Sequence, residues 1–362
     1  MNIGVPRERR PFEYRVGLSP TGVEILCQHD HTVFVEQDAG VGAGFSDLDY
    51  EQAGAHIVYS TDEVFGRVEL VLKIARPTDE EVDRLLPGST IAGLLHLAST
   101  RQAKIDVLLQ NKVTAIAYEQ IREADGTLPV LRPSSQIGGA MAAQVAARIL
   151  QSDQGGCGML LGGIPGVPPA EVVILGAGTA GTYAARAFNG LGAHVTALDR
   201  DMNALQKLSQ STPFVTTMPS TERNIEQMCK GADVLIGAVL VPGERAPVLV
   251  SRETVRKMKP RSVIIDISID QGGCIETSRP TTHDHPTYVD EGVVHYCVPN
   301  MPGVVARTST HGVVNAALPY IQMIADLGVE GAVAKNPAIE QAVNTQKGEI
   351  RHLYRFSKSG GE

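Results

Sequence analysis

The stretch Glu171–Asp199, EVVILGAGTAGTYAARAFNGLGAHVTALD, constrains the fold of this chain more than any other. Val172 to Leu175 is a short, apolar, β-branched run of the length of one buried parallel strand. It runs into Gly176, Gly178 and Gly181, a G-x-G-x-x-G turn. In such a turn the first glycine permits the tight reversal, the second lets the backbone approach a pyrophosphate, and the third lets the helix pack close on the strand. Thr182 to Asn189 reads as a helix of small residues and His194 to Leu198 as a second strand. Asp199 closes that strand 18 residues beyond Gly181, where a carboxylate accepts hydrogen bonds from an adenosine ribose. Isolated glycine-rich turns are common. Here strand, helix, second strand and terminal acid all fall in order, and a dinucleotide site is expected rather than an ordinary βαβ turn.

The rest of the chain alternates in the same way. Residues 2–5 and 32–35 read as strands flanking a helix at Pro20–Cys27, with Arg15 in the loop before that helix. A loop arginine is either a solvated cation or a fork for a carboxylate, and sequence alone leaves both open. Glu69–Ile74 and Ser89–Leu95 are the next strands, with a charged helix at Asp79–Leu86 between them. The first leads to Lys73 and Arg76, the second to His96. Open α/β sheets bind ligands at the carboxyl ends of their strands, so these side chains are well placed. For His96 a packed core histidine remains the competing reading. Thr114–Tyr118 is a further strand, followed by Glu119. Residues 132–151 look like a long helix after a Pro-Ser-Ser start, and the glycine-dense residues 155–166 look like a loop or hairpin. Beyond Asp199, strands are expected at Ala232–Val241 (running into Pro242 and Gly243), at Ser262–Ile269 (ending at Asp270) and at Val293–Val298 (running into Asn300 and Met301). Thr308–Asp326 reads as helix and the remaining tail as another amphipathic helix.

The fold expected is therefore α/β with two Rossmann-like domains. Residues 1–131 and 304–362 form a discontinuous domain, and residues 132–303 the central dinucleotide-binding domain. The helices near 132–151 and 308–326 would be the crossings. A chain of 362 residues exceeds the usual size of one core, which agrees with two domains. A net charge of −8 argues against a nucleic-acid surface, and every apolar segment of membrane-spanning length is interrupted by Gly, Pro or charge. The amino terminus lacks a signal-peptide pattern, and the five scattered cysteines without C-x-x-C spacing suit reduced thiols in the cytoplasm. His29 and His31, and His283 and His285, have metal-like spacing but no clear third ligand, so no metal is expected.

Collinear blocks along nearly the whole chain resemble the alanine dehydrogenase and transhydrogenase α-subunit family. They are IGVPRE (3–8), YRVGLSP (14–20), LLHLAS (94–99), AIAYE (115–119), LLGGIPGV (160–167), GAGTAG (176–181), IGAVLVPG (236–243), DISIDQGGCIE (266–276), SRPTTHDHPT (278–287) and YCVPNMPG (296–303). The resemblance implies NAD-dependent oxidative deamination of L-alanine to pyruvate and ammonia, and the reverse reaction, in a homo-oligomer, a hexamer or a dimer. It implies that the chain ends build the substrate domain, that Arg15 holds the substrate carboxylate, and that His96 and Asp270 do the acid–base work. Ser135, Asp199, Ile267, Asp270, Asn300 and Met301 match positions that contact the nucleotide in the family, alongside Gly176, Gly178 and Gly181. A histidine suits proton transfer because its unperturbed pKa, about 6.5, lies near working pH.

Two departures from the family pattern stand out. Its alanine dehydrogenases carry Lys-x-Lys-Glu-Pro, whose second lysine binds substrate. Here the stretch is Lys73-Ile-Ala75-Arg76-Pro77, which looks more like the transhydrogenase α subunit, as does Pro133-Ser-Ser-Gln136. Losing that cation would remove roughly 2–5 kcal/mol, so Arg76 is the candidate substitute for substrate binding. A lysine near the adenosine is Ala204 here, and Arg200 follows Asp199, which leaves modest room for NADP. Two other readings stay open: the same chemistry on a different small amino acid, 2-oxo acid or imine, and a nucleotide-binding protein without dehydrogenase activity.

Overall fold

The computed structural model describes residues 1–241 and 245–353, in two compact units. The first unit gathers Met1–Ser134 and the chain from Gly303 onward; the second is Ser135–Pro302. The chain passes from the first to the second inside the opening turn of the helix Arg132–Ile149. It returns inside the short 3-10 turn Met301–Val304.

The first unit opens with β1 (Asn2–Val5), β2 (Thr32–Glu36), β3 (His56–Val58), β4 (Leu70–Leu72), β5 (Thr90–Gly93) and β6 (Thr114–Ala117). These pair in parallel in the order β3-β2-β1-β4-β5-β6. β1, β4, β5 and β6 are almost wholly buried, as their near-continuous apolar sequences require of strands covered on both faces. Local signals fix the helices between them. Pro20 begins the helix Pro20–Gln28 behind a Ser19 cap that accepts from Gly22 N at 3.2 Å. Thr78 and Glu81 form a capping box on Asp79–Asp83, shorter than the expected helix to Leu86.

The second unit holds β7 (Glu171–Leu175), β8 (His194–Asp199), β9 (Val215–Pro219), β10 (Val234–Gly237), β11 (Val263–Asp266), β12 (Thr287–Asp290) and β13 (Val293–Tyr296). Six of them pair in parallel in the order β9-β8-β7-β10-β11-β13, and β12 adds antiparallel at the edge. Both units thus repeat the 3-2-1-4-5-6 order of a dinucleotide-binding sheet. Three expected strands are shorter than their apolar runs. β11 stops at Asp266 because its carboxylate accepts from Ser268 N at 3.0 Å and starts the 3-10 turn Ile267–Gln271. Asp270 therefore lies on that turn rather than at the strand end. β13 stops at Tyr296 and β10 at Gly237; Pro242 and Gly243 lie outside the described residues.

Back in the first unit, the helix expected at 308–326 runs from Ala306 to Lys335, interrupted at Gly328 (φ 68°, ψ 168°). It is long and apolar enough to cross a membrane by length and composition. Its Val313, Val314, Ala317, Ile321 and Ile324 instead join Ile3, Val5, Leu18 and Leu26 in the core on one face of the first sheet. Each such buried aliphatic side chain contributes about 1.5–3 kcal/mol. The tail is not the amphipathic helix its composition suggests. After the single-turn-scale helix Pro337–Ala342 come β14 (Val343–Gln346) and β15 (Glu349–Ile350), with Lys347 and Gly348 at positive φ between them. β14 pairs antiparallel with β6, so the chain end covers the sheet edge.

Candidate active site

In the second unit the three fingerprint glycines each answer a different steric demand. Gly176 has φ +105°, and a Cβ there would lie 2.4 Å from Ala238 O. At Gly181 a Cβ would lie 1.8 Å from Gly176 O, so the helix Thr179–Gly190 can meet its strand only without one. A Cβ at Gly178, the residue capping that helix, would meet nothing within 4 Å. Open space at a helix amino terminus, where unpaired N–H groups carry partial positive charge, fits a pyrophosphate. Asp199 ends β8 and ties the loop down: its carboxylate accepts from Ala177 N at 2.6 Å and Asp201 N at 2.8 Å. An ionised carboxylate has about four acceptor positions, so capacity for a ribose remains.

Two more segments converge on this turn. A Cβ at Gly139 would lie 2.1 Å from Ala180 O, and one at Gly138 would lie 3.7 Å from Ile267 Cγ2. These contacts set the helix Arg132–Ile149 against the fingerprint helix and the 267–271 turn, with Ser135 one helical turn upstream. Asp266 holds the turn from beneath, accepting also from Cys274 N at 3.0 Å, and burial pushes its carboxyl pKa up. Asp270, exposed on the turn, accepts from Asn300 N at 3.3 Å. Asn300 itself sits at φ 58°, a conformation asparagine tolerates. Met301 next to it is buried.

In the first unit the carboxyl ends of β4 and β5 form the corresponding platform. The pairing continues past the strands, Lys73 N bonding to Ala92 O at 2.9 Å and Leu94 N to Ile74 O at 3.1 Å. Gly17 carries the Arg15 loop onto this edge, since a Cβ there would lie 2.2 Å from Leu72 O. Arg15 is 3% exposed and its fork grips Glu13 bidentately, at 2.7 Å through Nε and 2.6 Å through Nη2. It is therefore not a solvated cation. Its Nη1 lies 3.5 Å from Ser309 Oγ, contributed by the C-terminal helix.

His96 is not a packed core histidine either: its side chain is 46% exposed. It occupies the left-handed region (φ 44°, ψ 43°), uncommon for any residue with a Cβ. Glu119 accepts from Leu95 N at 3.1 Å and His96 N at 2.6 Å, and its Oε1 lies 3.8 Å from His96 Nδ1. The His96 carbonyl accepts from Ser99 Oγ at 3.1 Å, and Arg76 Nη2 donates to that hydroxyl at 2.8 Å. Ala75 is buried, its N–H 3.3 Å from Glu8 Oε1.

Lys73, the lysine retained from the family motif, is fully buried between two carboxylates. Its Nζ lies 2.7 Å from Glu81 and 3.0 Å from Glu8. Burial disfavours the ammonium, but Glu8 and Glu81 outweigh it and hold its pKa above the usual lysine range. Burial raises the Glu8 carboxyl pKa, against the pull of Lys73. Glu8 also accepts from Ile74 N at 2.7 Å, so this cluster fixes the backbone carrying Ala75. Glu8, Glu13, Glu81 and Ser99 carry no signal of these roles in the sequence; Glu119 carries one, because it follows its strand as His96 follows the preceding one. Among the described residues no group of three or more His, Cys, Asp or Glu has the geometry of a metal site.

Residues 4–138 match the family model described as alanine dehydrogenase/PNT, N-terminal domain, and residues 142–353 the corresponding C-terminal domain. An alanine dehydrogenase of Mycolicibacterium smegmatis is 45% identical over 351 residues, 97% of this chain and 94% of that protein. One of Staphylococcus haemolyticus is 48% identical over 354 residues, again 97% and 94%. A solved L-alanine dehydrogenase superposes with a TM-score of 0.93 at 45% identity, covering 97% of each chain. A transhydrogenase from Sinorhizobium meliloti shares the fold at a TM-score of 0.82 and 23% identity, covering 97% of this chain and 99% of that one. The transhydrogenase-like residues at 73–77 are thus a local departure in a chain that belongs to the alanine dehydrogenase/PNT family.

Proposed function

We propose that this protein is an NAD-dependent alanine dehydrogenase, converting L-alanine, NAD⁺ and water to pyruvate, ammonium, NADH and a proton, and running the reverse amination. The observation that carries this reading is the carboxyl edge of the first sheet. There a buried arginine fork and an exposed histidine in a left-handed turn are both held by carboxylates. Gly176, Gly178, Gly181, Asp199, Ser135, Ile267, Asn300 and Met301 would hold the dinucleotide, and the open space at Gly178 fits its pyrophosphate. Asp199 favours the free ribose of NAD over the phosphate of NADP. When bound, the nicotinamide supplies the hydride acceptor. Arg15, whose guanidinium Glu13 holds in place, would bind the substrate carboxylate, for which its planar fork is matched. Loss of hydride from the substrate Cα leaves an iminium carbon. In this reading His96 and Asp270 would do the acid–base work, taking the proton from the attacking water and returning one to the departing amine.

Purified protein mixed with NAD and L-alanine at alkaline pH should show rising nicotinamide absorbance. The absence of turnover with every small amino acid and 2-oxo acid sinks the proposal. One observation favours a second substrate within the same chemistry: no cation occupies position 75, where Ala75 is small and its amide is tied to Glu8. Faster turnover of a bulkier amino acid than of alanine in the same panel selects that reading. Tight NAD binding without any turnover selects a nucleotide-binding protein instead. The proposal includes a homo-oligomer, dimer or hexamer, which light scattering measures. It also places the protein in a reducing cytoplasm, to which its five unpaired cysteines are suited.

A further inference from the structure

We infer that Arg76 is a positioning residue for His96, bracing the left-handed turn through Ser99, and not a substrate-binding cation. The inference rests on the proposed role of His96 but is drawn from the turn itself. A left-handed residue with a Cβ persists only where its surroundings over-determine it. At His96 both ends of the residue are held. Its N–H and that of Leu95 share the two oxygens of Glu119. Its carbonyl accepts from the Ser99 amide at 3.2 Å, from Ser99 Oγ at 3.1 Å and from Thr100 Oγ1 at 3.4 Å.

Arg76 orders the second set. A serine hydroxyl has one hydrogen and two lone pairs. With Arg76 Nη2 donating to Ser99 Oγ at 2.8 Å, the serine hydrogen is directed to the His96 carbonyl. The relay therefore runs one way, from guanidinium to hydroxyl to the peptide that aims the imidazole. The arginine is anchored in turn, because its own carbonyl accepts from Arg10 Nε at 2.8 Å. A glutamate, the residue that the family's alanine dehydrogenases carry at this place, has no hydrogen to donate to that serine when ionised, so this brace needs the arginine.

The two roles separate in steady-state kinetics. A cation that binds substrate carboxylate sets KM, whereas a brace on the acid–base group sets kcat, and displacement of a catalytic group by an ångström lowers rate by up to about 100-fold. With NAD and the preferred amino acid, Arg76→Ala and Ser99→Ala are each expected to lower kcat about 10-fold or more with KM within about 2-fold. The double variant should be no worse than the poorer single one, as residues in one relay are non-additive. Arg76→Lys, which keeps a donor of similar reach, should recover part of the loss. A KM increase of about 10-fold in Arg76→Ala at unchanged kcat, or multiplicative effects of the two substitutions, overturns the inference. Amide hydrogen exchange over residues 94–100 tests the brace without turnover: Arg76→Ala and Ser99→Ala should both speed it, leaving the rest of the first unit as it was. If the wild type turns over no amino acid, the proposed reaction fails and exchange alone decides. Unchanged exchange then overturns the brace.

Discussion

Replacing Lys73 by methionine should destabilise the first unit sharply, and the size of the effect follows from the geometry. The ammonium is 0% exposed, and its partners Glu8 and Glu81 are each 2% exposed. At an effective dielectric near 20, charges about 3 Å apart attract by about 5–6 kcal/mol per pair. Most of that offsets the desolvation of three ions, so the triad adds little net stability while intact. Removing the one cation leaves two carboxylates buried and uncompensated, which costs about 3–5 kcal/mol. For a unit of this size that shifts its melting temperature by on the order of 10 °C. Calorimetry is the assay, and because two units can melt separately, one transition should move while the other stays. The pH dependence carries a sign. Burial already raises the Glu8 pKa and Lys73 lowers it, so the variant's folded-state value rises further. A carboxyl whose pKa is raised on folding gives stability that is present below its unfolded pKa, about 4.3, and is lost as pH rises through the folded value. The deficit should therefore be smaller at pH 5 than at pH 8. Adding Glu8→Gln, which keeps an acceptor for Ile74 and removes one charge, should restore part of the loss. A shift below about 2 °C at pH 7, or a deficit that grows as pH falls, refutes the electrostatic account.

Three further outcomes are expected. Gly181→Ala places a Cβ 1.8 Å from Gly176 O, more than an ångström inside contact, so the fingerprint helix must move; calorimetric titration should show NAD affinity lowered about 10-fold or more. Glu119→Gln turns one carboxylate oxygen into a donor facing the Leu95 or His96 amide, and kcat should fall about 10-fold with NAD affinity unchanged. Cys157 is exposed, Cys27 is half-buried, and Cys229, Cys274 and Cys297 are buried; burial raises the thiol pKa values of these last four. A native thiol titration should therefore show one fast-reacting group, which Cys157→Ser abolishes.

What the sequence revealed about the fold, and what it concealed, has a physical cause. β7 and β11 are built on buried runs of Ile, Val and Leu, and composition alone marks them. β9, β12 and β14, reading VTTMP, TYVD and VNTQ, are polar and at or near sheet edges. Such strands become strands by pairing with a neighbour already in place, and nothing local requires it. The same contrast divides the site. Arg15, His96 and Asp270 drew notice because they end or precede apolar elements. Glu8 and Glu119 look like ordinary surface acids until folding brings them to amides 66 and 23 residues away. Lys73 shows the limit most clearly, since a retained motif residue proves to be a buried counter-ion.

The placement of the C-terminal segment has a consequence for synthesis. The second unit is one continuous stretch, Ser135–Pro302, and all its strands have been synthesised before residue 303 is added. The first unit begins earlier but lacks a face of its core until Val313, Val314, Ile321 and Ile324 emerge, and its β6 edge stays open until β14 does. The opening segment must therefore wait for the segment that follows residue 303, holding a parallel sheet with an uncovered apolar face while the whole second unit is made. Proteolysis or chaperone capture of stalled nascent chains should concentrate on the first 134 residues, even though the finished protein buries their central strands.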